Sequence, residues 1–524
     1  MARKLDARWL FSGQLVAETP LSVGGLGGNV DADLALAVNG QGQFYIPGTS
    51  LAGPLRAWLC ARVGKEAVKK LWGFQEGDQG HASFVFVEDG LVLDQNNQPL
   101  DLRCGEIRDG VGIDRYSGAA ADKAKYNRQV LPRGARIDFQ MTVELTNEKQ
   151  PEAKRLLAAL WQALRAGEIR FGSSKTRGLG RVRLQQAQTR QQEFSHRAGL
   201  LKVLADEAEP LTLPEENPYE QPRLTFELHW QPVGPLMVKA EADGVAVDML
   251  PLMSAVDDKL ALVLPGSSVK GALRNQAERI VRTLKGLAVN ADDFHAQINA
   301  DELSLIHGLF GQAAKAETKK STSREAKSNK QRLELCPENF VPVPGLGALS
   351  VDDCYAVPQV QCEAWAAIAG ATDEQTLRTA LNATPLKTAQ QAFHVAIDRW
   401  LGGAADNLLY TVLEPHGIAW EPLRLTLDLQ RLPEGQRDAA VTCLLLVLRD
   451  FVAGRIPLGY GTNRGMGAVA VTNIQVRSKK LDDKLANLTL RVAGQKLVIG
   501  DDAAREHLHQ QWRTWIASHQ SEAV

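Results

Sequence analysis

Two glycine-rich basic loops carry the plainest chemistry in the sequence. FGSSKTRGLGRV (171–182) lies in a stretch with Arg170, Lys175, Arg177, Arg181 and Arg183 and no acid, and LGYGTNRGMGAV (458–469) sets Gly459, Gly461, Gly465 and Gly467 around Arg464. Glycine lets a backbone approach an anion closely, and the cations beside it can bind phosphate. Neither loop is a Walker loop or a dinucleotide fingerprint, and a flexible hairpin is the plainer alternative. A second pair of stretches points the same way: IPGTSLAGPLR (46–56) and LPGSSVKGALR (264–274). In each, Gly48 or Gly266 permits a tight or positive-φ turn, and Thr49, Ser50, Ser267 and Ser268 are placed to cap the following helix. The free N–H groups of such a helix start favour an anion, and Arg56, Lys270 and Arg274 would add charge. Ordinary capping with solvated arginines is the competing reading; the recurrence of hydroxyls and arginine in both stretches favours phosphate.

A third stretch, GIDRYSGAAADKAKYNRQVLPRG, carries Lys123, Lys125, Arg128, Arg133 and Arg136 with Tyr116 and Tyr126 between them. Basic charge interleaved with aromatic faces suits single-stranded RNA, through phosphate contacts and base stacking, where a solvated β-hairpin is the bland alternative. Its counterpart, AIDRWLGGAADNLLYTVLEPHG, is far less basic.

The elements that must position these residues come as an internal duplication. Four signatures recur in one order: the Pro-Gly helix start, a helix exit (LWGF at 71–74, LFGQ at 309–312), an Ile-Asp-Arg segment (VGIDRYSGAA at 111–120, VAIDRWLGGAA at 395–405) and the glycine-basic loop. Each copy opens on an alternating strand, near RWLFSGQLVAE and PRLTFELHWQPV, and its second helix is expected in 152–167 or 435–454, where apolar residues keep helical spacing. This order suits an α+β fold with a ferredoxin-like β-α-β-β-α-β unit in each copy. The expected organisation is a first unit over 1–204, a Pro- and Glu-rich linker over 205–222, a second unit over 223–476, and a C-terminal extension over 477–524 with one or two strands and an end helix. Segment 313–332 is polar, basic and without apolar periodicity, and reads as a disordered insertion.

Bulk composition bounds the rest. The chain has 524 residues, 44% hydrophobic and 23% charged, which is ordinary for a soluble globular protein, and a net charge of −1 argues against a uniformly basic nucleic-acid coat. None of its six cysteines forms a CxxC pair, so they read as reduced thiols rather than a zinc site or a disulfide frame. The start MARKLDARWL lacks the apolar run of a signal peptide, and a cytoplasmic location is expected.

Taken as a set, IPGTSLAGPLR, LPGSSVKGALR, the two Ile-Asp-Arg segments, LFGQ and the two glycine loops resemble the RAMP superfamily, and specifically the backbone subunits of type III CRISPR effector complexes. The tandem arrangement, covering nearly all of 8–475, is similar to the fused two-unit form of type III-D. The resemblance implies two modified RNA-recognition-motif cores, each with an inserted β-hairpin thumb, lined along a guide RNA. It implies partners in guide RNA, complementary target RNA and other effector subunits. It also implies target cleavage by an aspartate on the loop after each first strand, here within 24–45 and 239–263. Carried over, the role falls on Asp248 in VDMLPL and on Asp31 or Asp33 in VDADLAL, with Asp243, Asp257 and Asp258 ranked lower. Such a carboxylate can hold a divalent metal, Mg2+ or Mn2+, or orient a 2′-hydroxyl for attack. From the helix starts, the basic hairpin and the glycine loops, RNA contacts are expected at Ser50, Arg56, Lys123, Lys125, Arg128, Lys175, Arg177, Arg181, Ser268, Lys270, Arg274 and Arg464. Two other readings stay open: an architectural RNA-binding subunit without nuclease activity, and a stand-alone endoribonuclease that processes guide precursors. The latter commonly uses a histidine base, for which the first unit offers His81 and little else.

Overall fold

The computed structural model describes residues 4–25, 32–215, 219–241, 243–312, 345–481 and 483–519, so Asp31 and the basic segment 313–332 lie outside the described residues.

Alternation in RWLFSGQLVA produces the strand Ala7–Ala17, whose Trp9, Phe11 and Leu15 bury one face. It pairs antiparallel with Val182–Glu193 on one side and Arg136–Leu145 on the other, and Gly90–Leu93 extends the sheet. Helices Gly48–Val63 and Gln150–Arg165 close over these strands in one hydrophobic cluster. The second half repeats the scheme: Arg223–Pro232 lies between Val469–Lys479 and Leu423–Asp428, with Leu349–Asp352 beyond, and helices Gly266–Lys285 and Arg437–Val452 complete a second cluster. Counting core strands within each half, both sheets run fourth, first, third, second. Each first strand also carries an irregularity against the last, at Ser12/Gln14 and at His229/Trp230. The protein is thus a mixed α+β structure built on two antiparallel sheets.

Between the second and third core strands of each half stands a separate two-stranded hairpin. The first joins Glu106–Ile113 to Ala120–Val130 and the second joins Gln390–Ile397 to Ala404–Glu414, with register shifts at Val111/Ile113 and at Val395/Ile397. The second half adds helices Phe294–Asn299, Cys362–Ala369 and Glu374–Asn382. The tail forms a hairpin over Leu490–Ile499 and the helix Asp502–His519, whose Leu508, Trp512 and Trp515 join the second cluster.

The halves are joined by more than the linker. Arg177–Gly178 of the first glycine loop pairs in parallel with Val351–Asp352, at the edge of the second sheet. At the base of the first hairpin, Arg108 is buried between Asp353, Glu106 and the Ser254 hydroxyl. Arg133 donates to both oxygens of Glu421. Cys104, Cys354, Cys362 and Cys443 are free thiols, and Cys336 lies outside the described residues. Among the described residues no helix is long and apolar enough to cross a membrane.

Candidate nucleic-acid interface

The Pro-Gly elements do form helix starts, but not in the expected way. Proline takes the N-cap position in both, with no side-chain cap, and Thr49, Ser50, Ser267 and Ser268 fall inside the first turn. The Gly48 N–H donates to Asp89 Oδ1 and the Gly266 N–H to Asp353 Oδ1, both at 2.7 Å. A carboxylate of the chain thus sits where an anion was expected. The glycines serve close approach rather than positive φ: neither is among the positive-φ residues, and a Cβ would collide with the carbonyl oxygen of Val87 or Val351.

The charged residues of these helices also turn inward. Arg56 donates to Gly73 O at 3.2 Å and Arg274 to Gly311 O at 3.0 Å, so the repeated arginine ties each helix to the glycine at the helix exit. Lys270 is buried and donates to Leu349 O at 2.7 Å; burial, with Arg177 and Arg274 adding repulsion, drives its pKa well below that of an ordinary lysine. The heads of Arg56, Lys270 and Arg274, read in sequence as phosphate-binding charge, thus each meet a backbone carbonyl of the chain: an arginine eight residues into a helix looks the same in sequence whether its head meets solvent or a carbonyl.

The glycine loops behave as a matched pair. Gly172, Ser174, Gly178 and Gly180 all have positive φ, as do Gly459, Gly461, Gly465 and Gly467 at the corresponding places. This shared path presents one exposed arginine from each loop to a tyrosine of the adjacent hairpin. Arg177 Nη1 donates to Tyr126 Oη at 3.3 Å, and Arg464 Nη1 donates to Tyr410 Oη while lying 5.7 Å from that ring centroid. Arg128 reaches from the first hairpin to the hydroxyls of Ser173 and Ser174, and its guanidinium lies 5.2 Å from the Tyr126 ring.

The acidic loops meet the hairpins at the next residue. Asp33 N donates to Asn127 Oδ1 at 2.7 Å, and Asn127 N donates to Asp33 Oδ2 at 2.9 Å. Asp248 N donates to Thr411 Oγ1 at 3.0 Å, and Thr411 returns its N–H and its hydroxyl to Asp248 Oδ2 at 2.7 and 2.9 Å. The following residues form parallel bridges in both halves, Leu34 with Arg128 and Met249 with Val412. Asp33 is therefore the positional counterpart of Asp248 among the described residues. Both side chains are exposed, and the Thr411 N–H and hydroxyl bonds hold the Asp248 carboxyl below its usual range. Oδ1 of each aspartate has no hydrogen-bond partner among the described residues.

The remaining candidates spread around this centre. Lys123 is exposed near the hairpin turn, and Lys125 pairs with Asp109 at 3.0 Å. Arg181 is committed to Glu18 at 2.7 Å and to Asp352 at 3.2 Å, and Arg170 also pairs with Asp352. Lys175 lies in the first loop facing the other half; burial and the nearby Arg431 lower its pKa to about 8. In the second hairpin, His394 stands opposite Tyr410 and stacks on it with centroids 5.2 Å apart, where the first hairpin has Gly110 opposite Tyr126. Sequence reasoning missed Asp89, Asp353 and His394. The first two had a signal, because VEDG (87–90) and VDDC (351–354) are a fifth repeated signature.

Each half thus brings a carboxylate, a tyrosine and a loop arginine to one hairpin strand. Guanidinium and phenol can meet a phosphate and a base, and the carboxylate can accept a hydroxyl proton. Among the described residues no group of three or more His, Cys, Asp or Glu side chains could hold a metal ion.

A family model described as the RAMP superfamily matches residues 14–183 and 255–470. The two matched regions fall on the two halves and include both hairpins and both glycine loops. No curated protein matches the chain.

Proposed function

The chain belongs to the RAMP superfamily, and from that premise we propose that it is a guide-RNA-binding backbone subunit of a type III CRISPR ribonucleoprotein, in the tandem form of type III-D. In this reading it cleaves complementary target RNA at one or two sites. The two halves are RAMP units over 1–204 and 223–476 with ferredoxin-like cores, a reading favoured by the strand order fourth, first, third, second in each sheet. The hairpins are the thumbs that enter the guide–target duplex. Guide and target RNA and other effector subunits are the partners, in the cytoplasm.

The observation that carries the proposal is the duplicated constellation Asp33–Asn127–Tyr126–Arg177 and Asp248–Thr411–Tyr410–Arg464. It puts an acid, an aromatic face and an exposed guanidinium at one place on each thumb. Arg177 and Arg464 hold backbone phosphates, and Tyr126 and Tyr410 offer surfaces for splayed bases. Bonding Oδ2 to the thumb strand fixes each carboxylate and aims Oδ1 at the RNA. There it accepts the proton of a 2′-hydroxyl as that oxygen attacks the neighbouring phosphorus and the 5′ oxygen leaves.

Among the described residues no group of three or more His, Cys, Asp or Glu side chains surrounds Asp33 or Asp248, and Asp31 lies outside them. No step is routed through a metal, and metal dependence becomes a measurement. The architectural reading draws on a specific observation too: Asp33 and Asp248 anchor the thumbs, a sufficient structural role. The guide-processing reading loses ground, because His81 packs edge-on against Phe74 and Phe84. Purification of the particle through this chain, followed by sequencing of bound RNA, tests the proposal. One defined guide class supports it; no RNA, or random cellular RNA, contradicts it.

A further inference from the structure

The second hairpin carries a run of polar side chains that the first lacks. His394 lies opposite Tyr410 in the register, and the two rings stack with centroids 5.2 Å apart and an interplanar angle of 14°. Arg464 donates to the hydroxyl of the same tyrosine. Glu414, four residues further along the strand, stands between two imidazoles: His394 Nε2 is 3.6 Å from Oε1, and His416 Nε2 is 3.5 Å from Oε2. The Glu414 side chain is 14% exposed, and His394 Nε2 is buried and makes no hydrogen bond. A buried ring nitrogen that faces a carboxylate without bonding it is placed to gain a proton, because the imidazolium turns the same contact into an ion pair. Thr388, just before the hairpin, donates its hydroxyl at 2.6 Å to the carbonyl of His416, just after it, so the two ends of the hairpin are tied together at this group.

The first hairpin has no such group. Gly110 lies opposite Tyr126, and Val130, opposite Glu106, holds the register position that Glu414 holds opposite Gln390. Tyr126 lies across Gly110, where a Cβ would come within 2.5 Å of its ring. The segment 106–130 contains no histidine. In the second hairpin the titratable groups that meet His394 are Tyr410 and Glu414 of the opposite strand. His416 reaches it through Glu414, and Arg464 of the glycine loop reaches it through Tyr410. Tyr460 packs in the same cluster as Tyr410, and Asp248 is held by Thr411, the next residue along that strand. With both rings neutral, Glu414 and the two histidines carry one negative charge; with both protonated they carry one positive charge. One carboxylate neutralises one imidazolium, and the other stays uncompensated in a group that already touches the Arg464 site.

We infer that His394, Glu414 and His416 form a proton-responsive clamp, through which the second half holds RNA phosphate more tightly at about pH 6 than at about pH 8, a dependence absent from the first half. This rests on the reading of Tyr410 and Arg464 as RNA contacts. Protons taken from solvent convert the two imidazole–carboxylate contacts into ion pairs that share Glu414. The His394 imidazolium then seats on the Tyr410 ring as a cation on an aromatic face and holds that ring against Arg464. His394 is a positioning residue: it acts on RNA through Tyr410 and through the positive charge it adds beside the phosphate site. The two halves, alike in their aspartate, tyrosine and loop arginine, thus differ in how their grip responds to acidity.

The test measures binding of the full chain to a mixed-sequence single-stranded RNA by filter retention, over a salt series at about pH 6 and about pH 8. Wild type is expected to bind about threefold or more tighter at the lower pH, with a slope of log affinity against log salt steeper by about 0.7, the value of one single-strand phosphate contact. His394→Gln leaves Glu414 to neutralise His416 alone, and it is expected to keep the weaker affinity and the shallower slope at both pH values. His394→Arg supplies a charge that does not titrate in this range, and it is expected to bring the affinity at the higher pH toward the wild-type value at the lower one. The same ratio of affinities between the two pH values in wild type and His394→Gln, with RNA bound at both, overturns the inference and leaves the functional reading standing. Equal loss of binding in the Gln and Arg variants at both pH values also overturns it, since His394 is then a packing residue only. No RNA binding by wild type at either pH rejects the functional reading, and the inference with it.

Discussion

Asp33 stands to Asn127 as Asp248 stands to Thr411: each aspartate is locked to the second strand of a hairpin, one residue beyond the tyrosine that meets the loop arginine. The equivalence sets Asp33 of VDADLAL at the place of Asp248; Asp31, which sequence spacing left open beside it, lies outside the described residues. It also means that any role assigned to one copy can be tested against the other.

The paired arginines give the first prediction. Arg177→Ala with Arg464→Ala removes one exposed guanidinium per half without touching a buried contact. RNA affinity at low salt should fall about tenfold or more, and the slope of log affinity against log salt should shrink by roughly 1.4, about 0.7 per lost single-strand phosphate contact. Filter binding across a salt series reads both. Affinity and slope that match wild type would remove the loops from the interface.

The joint between halves gives the second. Asp352 is buried and faces Arg170 and Arg181 of the first half. Asp352→Ala leaves Arg170 without its counter-charge and Arg181 with Glu18 alone, and breaking a buried pair on one side costs about 3–5 kcal/mol. Differential scanning calorimetry should show a fall of several degrees in the transition that separates the halves. A melting profile identical to wild type would show that the cluster contributes nothing.

Lys175 gives a prediction in pH. Burial, with Arg431 nearby, lowers its folded pKa to about 8 from 10.5. Between those values the unfolded chain binds the proton more readily than the folded one. Stability should therefore rise as pH climbs from about 8 to 10.5, and this contribution is lost as pH falls back to 8. Lys175→Met should flatten that rise relative to wild type in urea titrations. Parallel pH profiles for the two proteins would contradict the burial of this ammonium group.

Much of the architecture was legible because duplication repeats its own punctuation. Turn glycines, the helix-exit glycine and the Ile-Asp-Arg tip recur at matched places, and each is fixed by a backbone requirement that one side chain satisfies. The loop arginines Arg177 and Arg464 were legible for the same reason. The contacts of Arg56, Lys270 and Arg274 were not legible, because charge in a sequence carries no direction, and all three heads turn onto backbone carbonyls. The unit joint was hidden because its partners, such as Arg108 and Asp353, are 245 residues apart and belong to different halves. The capping carboxylates Asp89 and Asp353 escaped notice although their surrounding sequence repeats.

The central claim is that each half carries one cutting aspartate on its thumb. It is tested most directly by Asp33→Asn and Asp248→Asn, singly and together, in the assembled particle with end-labelled target RNA, with and without Mg2+. Asparagine keeps an acceptor for Asn127 or Thr411, so the thumb stays anchored while the carboxylate charge is lost. The account predicts that each single variant loses one product and keeps the other, that the double variant cuts at neither site, and that guide binding is unchanged throughout. A product ladder unaltered in the double variant, with RNA still bound, would contradict it and leave both aspartates as thumb anchors alone.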